Sequence, residues 1–210
     1  MRAEFRRRSH FGARSVVLSI SAVVFCAMWS QNSIACCKLQ SVTLTVVGKD
    51  GTQVMLRETE IGNLPNYTAY GGYKNVLGNI RGLGNYTGVR FLVLCDLVGG
   101  METDDKLRIT AADDYQIDFA YSEVVLGEFT TYDPSTGVQV AHYQPLVSIM
   151  AYYYNGLDIP DGPLRAAIVN PEGLATDSTY WVKCVIKMEI LGPVGESAGG
   201  MPPTQIRRLR

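Results

Sequence analysis

Few side chains in this sequence are of a type that makes or breaks bonds, and their spacing narrows the chemistry further. Of the two histidines, His10 sits in a basic N-terminal stretch and His142 in a polar segment with nothing nearby to mark a partner. A Ser-His-Asp or Cys-His apparatus needs a histidine within hydrogen-bond reach of its nucleophile, so hydrolysis of that type is not expected. The five cysteines are Cys26, Cys36, Cys37, Cys95 and Cys184. None belongs to a C-x-x-C pair, and adjacent Cys36 and Cys37 are a poor chelate, which argues against a zinc site. Cys95 and Cys184 lie inside apolar segments and read as small buried hydrophobes, although an oxidising compartment would permit a disulfide. These residues assign no catalytic group and no metal ligands.

The elements that must hold them are mostly strands. Residues 42–47 alternate and are β-branched, and Lys49-Asp50-Gly51 turns them into residues 53–56, a hairpin. Residues 62–100 hold nine of the 21 glycines, together with Tyr67, Tyr70, Tyr73 and Tyr86. So much glycine predicts backbone passing close to something, or a long packed loop. Within this segment residues 89–98 predict a short amphipathic helix, with Phe91, Leu92, Leu94, Cys95 and Val98 on or near one face and Gly99-Gly100 as its stop. Residues 106–110 and 115–120 read as strands joined by Asp113-Asp114, with a helical turn over 122–126. A loop or hairpin follows around Pro134-Ser135-Thr136-Gly137. Residues 146–154 form an apolar strand ending at Asn155-Gly156, and 164–169 and 180–191 supply two more. The segment 192–210 is rich in glycine and proline and is expected to be disordered.

The N-terminus predicts export. Arg2, Arg6, Arg7, Arg8 and Arg14 precede an apolar run over residues 16–29, the layout of a signal peptide. That run is shorter than the roughly 20 residues needed to cross a bilayer. Ser33-Ile34-Ala35 then offers small residues at −3 and −1 for cleavage after Ala35, with an uncleaved membrane anchor as the alternative. A lipid on the following cysteines lacks the leucine and small-residue order that should precede it. The expected layout is therefore residues 1–35 as signal peptide or anchor, 36–191 as one domain outside the cytoplasm or at the cell surface, and 192–210 as a tail. Net charge is −1 overall, but residues 15–206 carry −8, which repels polyanions and excludes nucleic acid as a partner. Asn66-Tyr67-Thr68 and Asn85-Tyr86-Thr87 are N-glycosylation sequons should the host use them.

The order of motifs resembles a known family. Tyr86-Thr87-Gly88-Val89, the helix end Asp96-Leu97-Val98-Gly99-Gly100 and the strand pair across Ala112-Asp113-Asp114-Tyr115 resemble the molybdopterin-binding domain of sulfite-oxidase-type oxidoreductases. So do Ala151-Tyr152, Asn155-Gly156, Asp161-Gly162-Pro163-Leu164-Arg165 and Trp181-Val182-Lys183 with the closing strand 186–190. The resemblance covers residues 42–191. It implies an α+β fold, a single mixed β-sheet domain with a few short helices, whose cofactor pocket is lined by the glycine-rich segment and neighbouring loops.

By that resemblance, the positions that would hold the anionic pterin and its phosphate are Lys74, Gly78, Asn79, Arg81, Arg165 and Lys183, arginine's planar fork being suited to phosphate. Arg165 and Lys183 also flank apolar strands, where a surface ion pair, or a stem covering apolar surface, is the plainer role. Members of the family bind molybdenum through a cysteine thiolate, and here Val76 occupies that position. Valine cannot coordinate a metal, so molybdopterin is a cofactor implied by resemblance only and the true cofactor is unknown. Three readings follow: a non-catalytic exported domain binding a pterin-like small molecule or another envelope protein; a molybdopterin-dependent oxidoreductase with altered ligation; and a cell-surface assembly subunit. Any membrane contact would run through the N-terminal segment alone.

Overall fold

The computed structural model describes residues 43–193. The predicted export segment, Cys26, Cys36, Cys37 and residues 194–210 of the predicted tail lie outside the described residues. Two mixed sheets share one apolar cluster, and with the few short helices they make the α+β, sheet-dominated architecture expected from sequence.

The first sheet begins with the expected hairpin. Strand β1 (Thr43–Val47) pairs antiparallel with β2 (Gln53–Arg57), and Gly51 in the turn takes φ 84°, a conformation open to glycine at no steric cost. Strand β2 runs into the short helix α1 (Glu58–Gly62), where the Glu60 carboxylate accepts the Arg57 N–H at 2.7 Å. The sheet continues through β13 (Val185–Leu191), parallel to β1, to β5 (Lys106–Ala111) and β6 (Gln116–Ala120). Arg108 on β5 grips Asp118 on β6 with two hydrogen bonds of 2.7 and 2.9 Å. Asp114 takes φ 65° in the connecting turn, which a short polar side chain tolerates.

The glycine-rich segment takes the first of its two expected forms, backbone passing close to its neighbours, and not a long packed loop. It forms two long strands, β3 (Asn66–Lys74) and β4 (Ile80–Arg90), paired antiparallel. Together with β9 (Val147–Tyr154) and β11 (Arg165–Asn170) they close a ring, since β4 pairs with β3 and β9 while β11 pairs with the same two. Closure explains the composition. A Cβ on Gly88 would stand 2.2 Å from the Met150 carbonyl oxygen, and one on Gly71 would stand 2.7 Å from that of Ile168. Chains approach too closely there for any side chain.

The predicted helix is present but shorter, α2 (Phe91–Asp96), because residues 89 and 90 finish β4. Phe91, Leu94, Cys95 and Val98 are buried as expected. Gly99 and Gly100 take φ 105° and 78°, and the Gly100 N–H returns to the Cys95 carbonyl at 2.9 Å, closing the helix end. The helical turn over Ser122–Leu126 is a π-helix, and Gly127 follows it with φ 69° against the backbone of Leu146. The second sheet is completed by β7 (Thr131–Tyr132), β8 (Gln139–Val140), β10 (Leu157–Asp158) and β12 (Ala175–Asp177). No helix among the described residues is long and apolar enough to cross a membrane.

Candidate functional site

Arg165, the first residue of β11, is buried, contrary to the surface ion pair expected for it. An isolated β-bridge pairs it with Lys183, just ahead of β13. Its guanidinium lies over two rings, with the central carbon 5.2 Å from the centroid of Tyr73 and 5.5 Å from that of Trp181. Such contacts contribute about 0.5–2 kcal/mol. Tyr73 arrives from β3, while Trp181 is fixed by its indole N–H donating to Thr176 Oγ1 at 2.8 Å. Tyr86 packs edge-on to Trp181 at 5.0 Å and donates its hydroxyl to the Gly82 carbonyl at 2.8 Å. Burial pushes the Tyr86 phenol well up, and the positive charge of Arg165 pulls in the opposite direction.

Gly82 makes this geometry possible. The β3–β4 register shifts between Gly71 and Tyr73, and Gly82 takes φ 61° on the longer side of the irregularity. A Cβ there would stand 2.7 Å from the Tyr73 ring. The glycine thus leaves the space that Tyr73 needs to lie beside Arg165.

Asp161 completes the cluster from the loop before β11. One of its carboxylate oxygens meets Lys183 Nζ at 2.7 Å and Arg165 Nη1 at 3.5 Å. Arg165 Nε is buried without a hydrogen-bond partner, a condition that costs about 1–3 kcal/mol for a polar group. Sequence reading chose Arg165 and Lys183 but passed over Asp161, Tyr73 and Trp181 as site residues. Asp161 carried a usable signal, standing four residues before Arg165 in the same glycine-proline turn. Tyr73 carried none, since its closeness to Arg165 comes from strand pairing.

The other predicted positions do not join the cluster through any hydrogen bond. Lys74 follows Tyr73 in β3, so alternation turns it to the opposite face. There it donates to the Gly137 carbonyl at 2.9 Å and stands 4.3 Å over the Tyr132 ring. Gly78 and Asn79 build the β3–β4 turn: Gly78 takes φ 83°, and the N–H groups of Leu77 and Asn79 donate to Asn75 Oδ1. Arg81 is exposed on β4 opposite Tyr73 rather than in a loop. Val76, the position matched to the metal-binding cysteine, is 96% exposed at the tip of that hairpin.

The described residues do not fit a molybdenum centre. Cys95 is wholly buried, and burial with nearby Asp96 pushes its thiol up to about 12, far from a thiolate. Cys184 is neither the buried thiol expected nor paired with Cys95: it is disulfide-bonded, whereas Cys95 is free. No group of three or more His, Cys, Asp or Glu side chains among the described residues is placed to hold a metal ion. His142 lines a shallow cleft of about 440 Å³ with Glu128, Phe129, Thr131 and Gln139, and its Nδ1 lies 3.0 Å from the Gln144 carbonyl oxygen. That cleft contains none of the predicted cofactor residues.

No protein-family model and no curated protein matches the chain. The fold is nonetheless of a known kind, an α+β architecture shared with an oxidoreductase. One solved structure that it resembles is the sulfane dehydrogenase SoxCD from Paracoccus pantotrophus, with a TM-score of 0.54 and 16% identity over 75% of this chain. At that identity the likeness is one of fold. The chain spans 40% of the length of the SoxCD chain it matches.

Proposed function

We propose that this chain is an exported, non-catalytic domain that uses a sulfite-oxidase-type molybdopterin-binding fold to bind a ligand or partner, without molybdenum chemistry. One observation carries the reading: the described residues offer no available thiolate, because Val76 stands on an exposed hairpin tip, Cys95 is sealed in the core and Cys184 is in a disulfide. High-valent metals of this kind are held by soft thiolate donors. Gly78 and Asn79, positions that the resemblance would assign to the pterin, have a sufficient role in closing their own turn. The Arg165–Lys183–Asp161 cluster is the locus at which the domain would take a small molecule.

Native mass spectrometry of protein purified from its own host tests this. The expected mass is that of the polypeptide alone or with a metal-free small molecule. A mass increment containing a molybdenum- or tungsten-bearing cofactor would overturn the proposal.

A further inference from the structure

Arg165 is a buried cation whose hydrogen-bonding capacity is largely unused. Its side chain is 7% exposed, yet Nε has no partner, and its hydrogen bond among the described residues is the long 3.5 Å contact from Nη1 to Asp161. A guanidinium has five N–H donors in a planar fork that matches a carboxylate. Asp161 underuses that fork, since the same oxygen meets Lys183 at 2.7 Å. The cluster is also two-sided. Tyr73 and Trp181 wall its inner part, whereas Asp161 and Lys183 are 43% and 50% exposed and open to solvent.

The loop carrying Asp161 has an unusual path. Gly162 takes φ 132°, and the Cys184 sulfur lies 2.5 Å from where a Cβ on Gly162 would stand. The carboxylate is thus delivered by a glycine turn resting on a disulfide sulfur, an arrangement separate from the β11 ladder that holds Arg165.

We propose that Arg165 and Lys183 form a carboxylate-binding site, and that Asp161 is its internal occupant, displaced when a ligand carboxylate enters. This rests on the reading of the domain as ligand-binding and names the class of ligand. A carboxylate is favoured because the group that sits there is one, and because two cations facing one carboxylate leave a net positive charge to be met. The exchange is non-covalent. The entering carboxylate takes the contacts of Asp161 with Lys183 and Arg165, and the released Asp161 side chain turns to water.

The test is titration of the full chain with sodium benzoate, sodium acetate and sodium sulfate, followed by the indole N–H resonance of Trp181, which lies against the guanidinium. Asp161→Asn removes the internal competitor and should tighten benzoate binding at least about tenfold. Lys183→Ala changes an exposed side chain and should weaken it by a similar factor. Benzoate affinity unchanged in both variants, or no saturable shift of Trp181 in any form, would overturn the proposal and leave a structural ion pair. Sulfate binding as tightly as benzoate would overturn the choice of ligand class. Failure here in metal-free protein removes this cluster as the ligand locus but leaves the metal-free, non-catalytic reading standing, whereas molybdenum in the native protein sinks that reading whatever the titration shows.

Discussion

Two residues show how position governs chemistry here. Cys95 has the reactive group that a metal would want, but core burial pushes its thiol up to about 12. It should not react with a disulfide reagent at pH 8 in the native state and should react once denaturant unfolds the chain; rapid native modification of Cys95 would contradict its placement. Gly88 lies at the opposite extreme, having no side chain because the Met150 carbonyl stands where one would go. Gly88→Ala should destabilise by about 1–3 kcal/mol through overpacking, measured by urea unfolding. Gly62→Ala meets nothing within 4 Å and should be neutral or slightly stabilising. This contrast also decides between the two alternatives for the glycine-rich segment, close backbone approach and a packed loop. Composition reported that backbone passes close to something, and it does. The something is Met150, more than sixty residues away, and no local pattern could name it.

Among the elements, turns with local chemistry were legible: Lys49-Asp50-Gly51 closes its hairpin, and Asn155-Gly156 ends strand β9, where Asn155 is also held by Asn85. The β5–β6 pair gains a further clamp, as hydrogen bonds from Arg108 hold the Asp118 carboxyl below its ordinary range. A carboxylate with a lowered folded-state value contributes stability above its unfolded value near 4, and that contribution is lost as pH falls through the lowered value. Both side chains are 35% exposed, so Asp118→Asn should cost at most about 1 kcal/mol at pH 7. The difference from the unmodified protein should fade below pH 4, as followed by thermal unfolding across pH. An equal difference at pH 2 would mean that the pair acts through packing. Strand β12 and the closing contact of β4 with β9 were not legible, since both depend on partners brought together by the whole fold.

For the molecule as a whole, the order of motifs pointed to an architecture that the likeness to SoxCD supports at the level of fold. The site was half legible. Arg165 and Lys183 stood out by residue type, but the burial of Arg165 is supplied by Tyr73 and Trp181 from separate strands, and alternation carried Lys74 to the other face. Val76 bears on the same point. On a tip 96% exposed, a cysteine would present a surface thiol, so Val76→Cys should create a rapidly modified thiol without gain of molybdenum. The central claim is that this fold here works without a metal centre. Elemental analysis of protein purified from its native host tests it most directly: molybdenum and tungsten well short of one atom per chain are predicted, and a stoichiometric amount of either would contradict it.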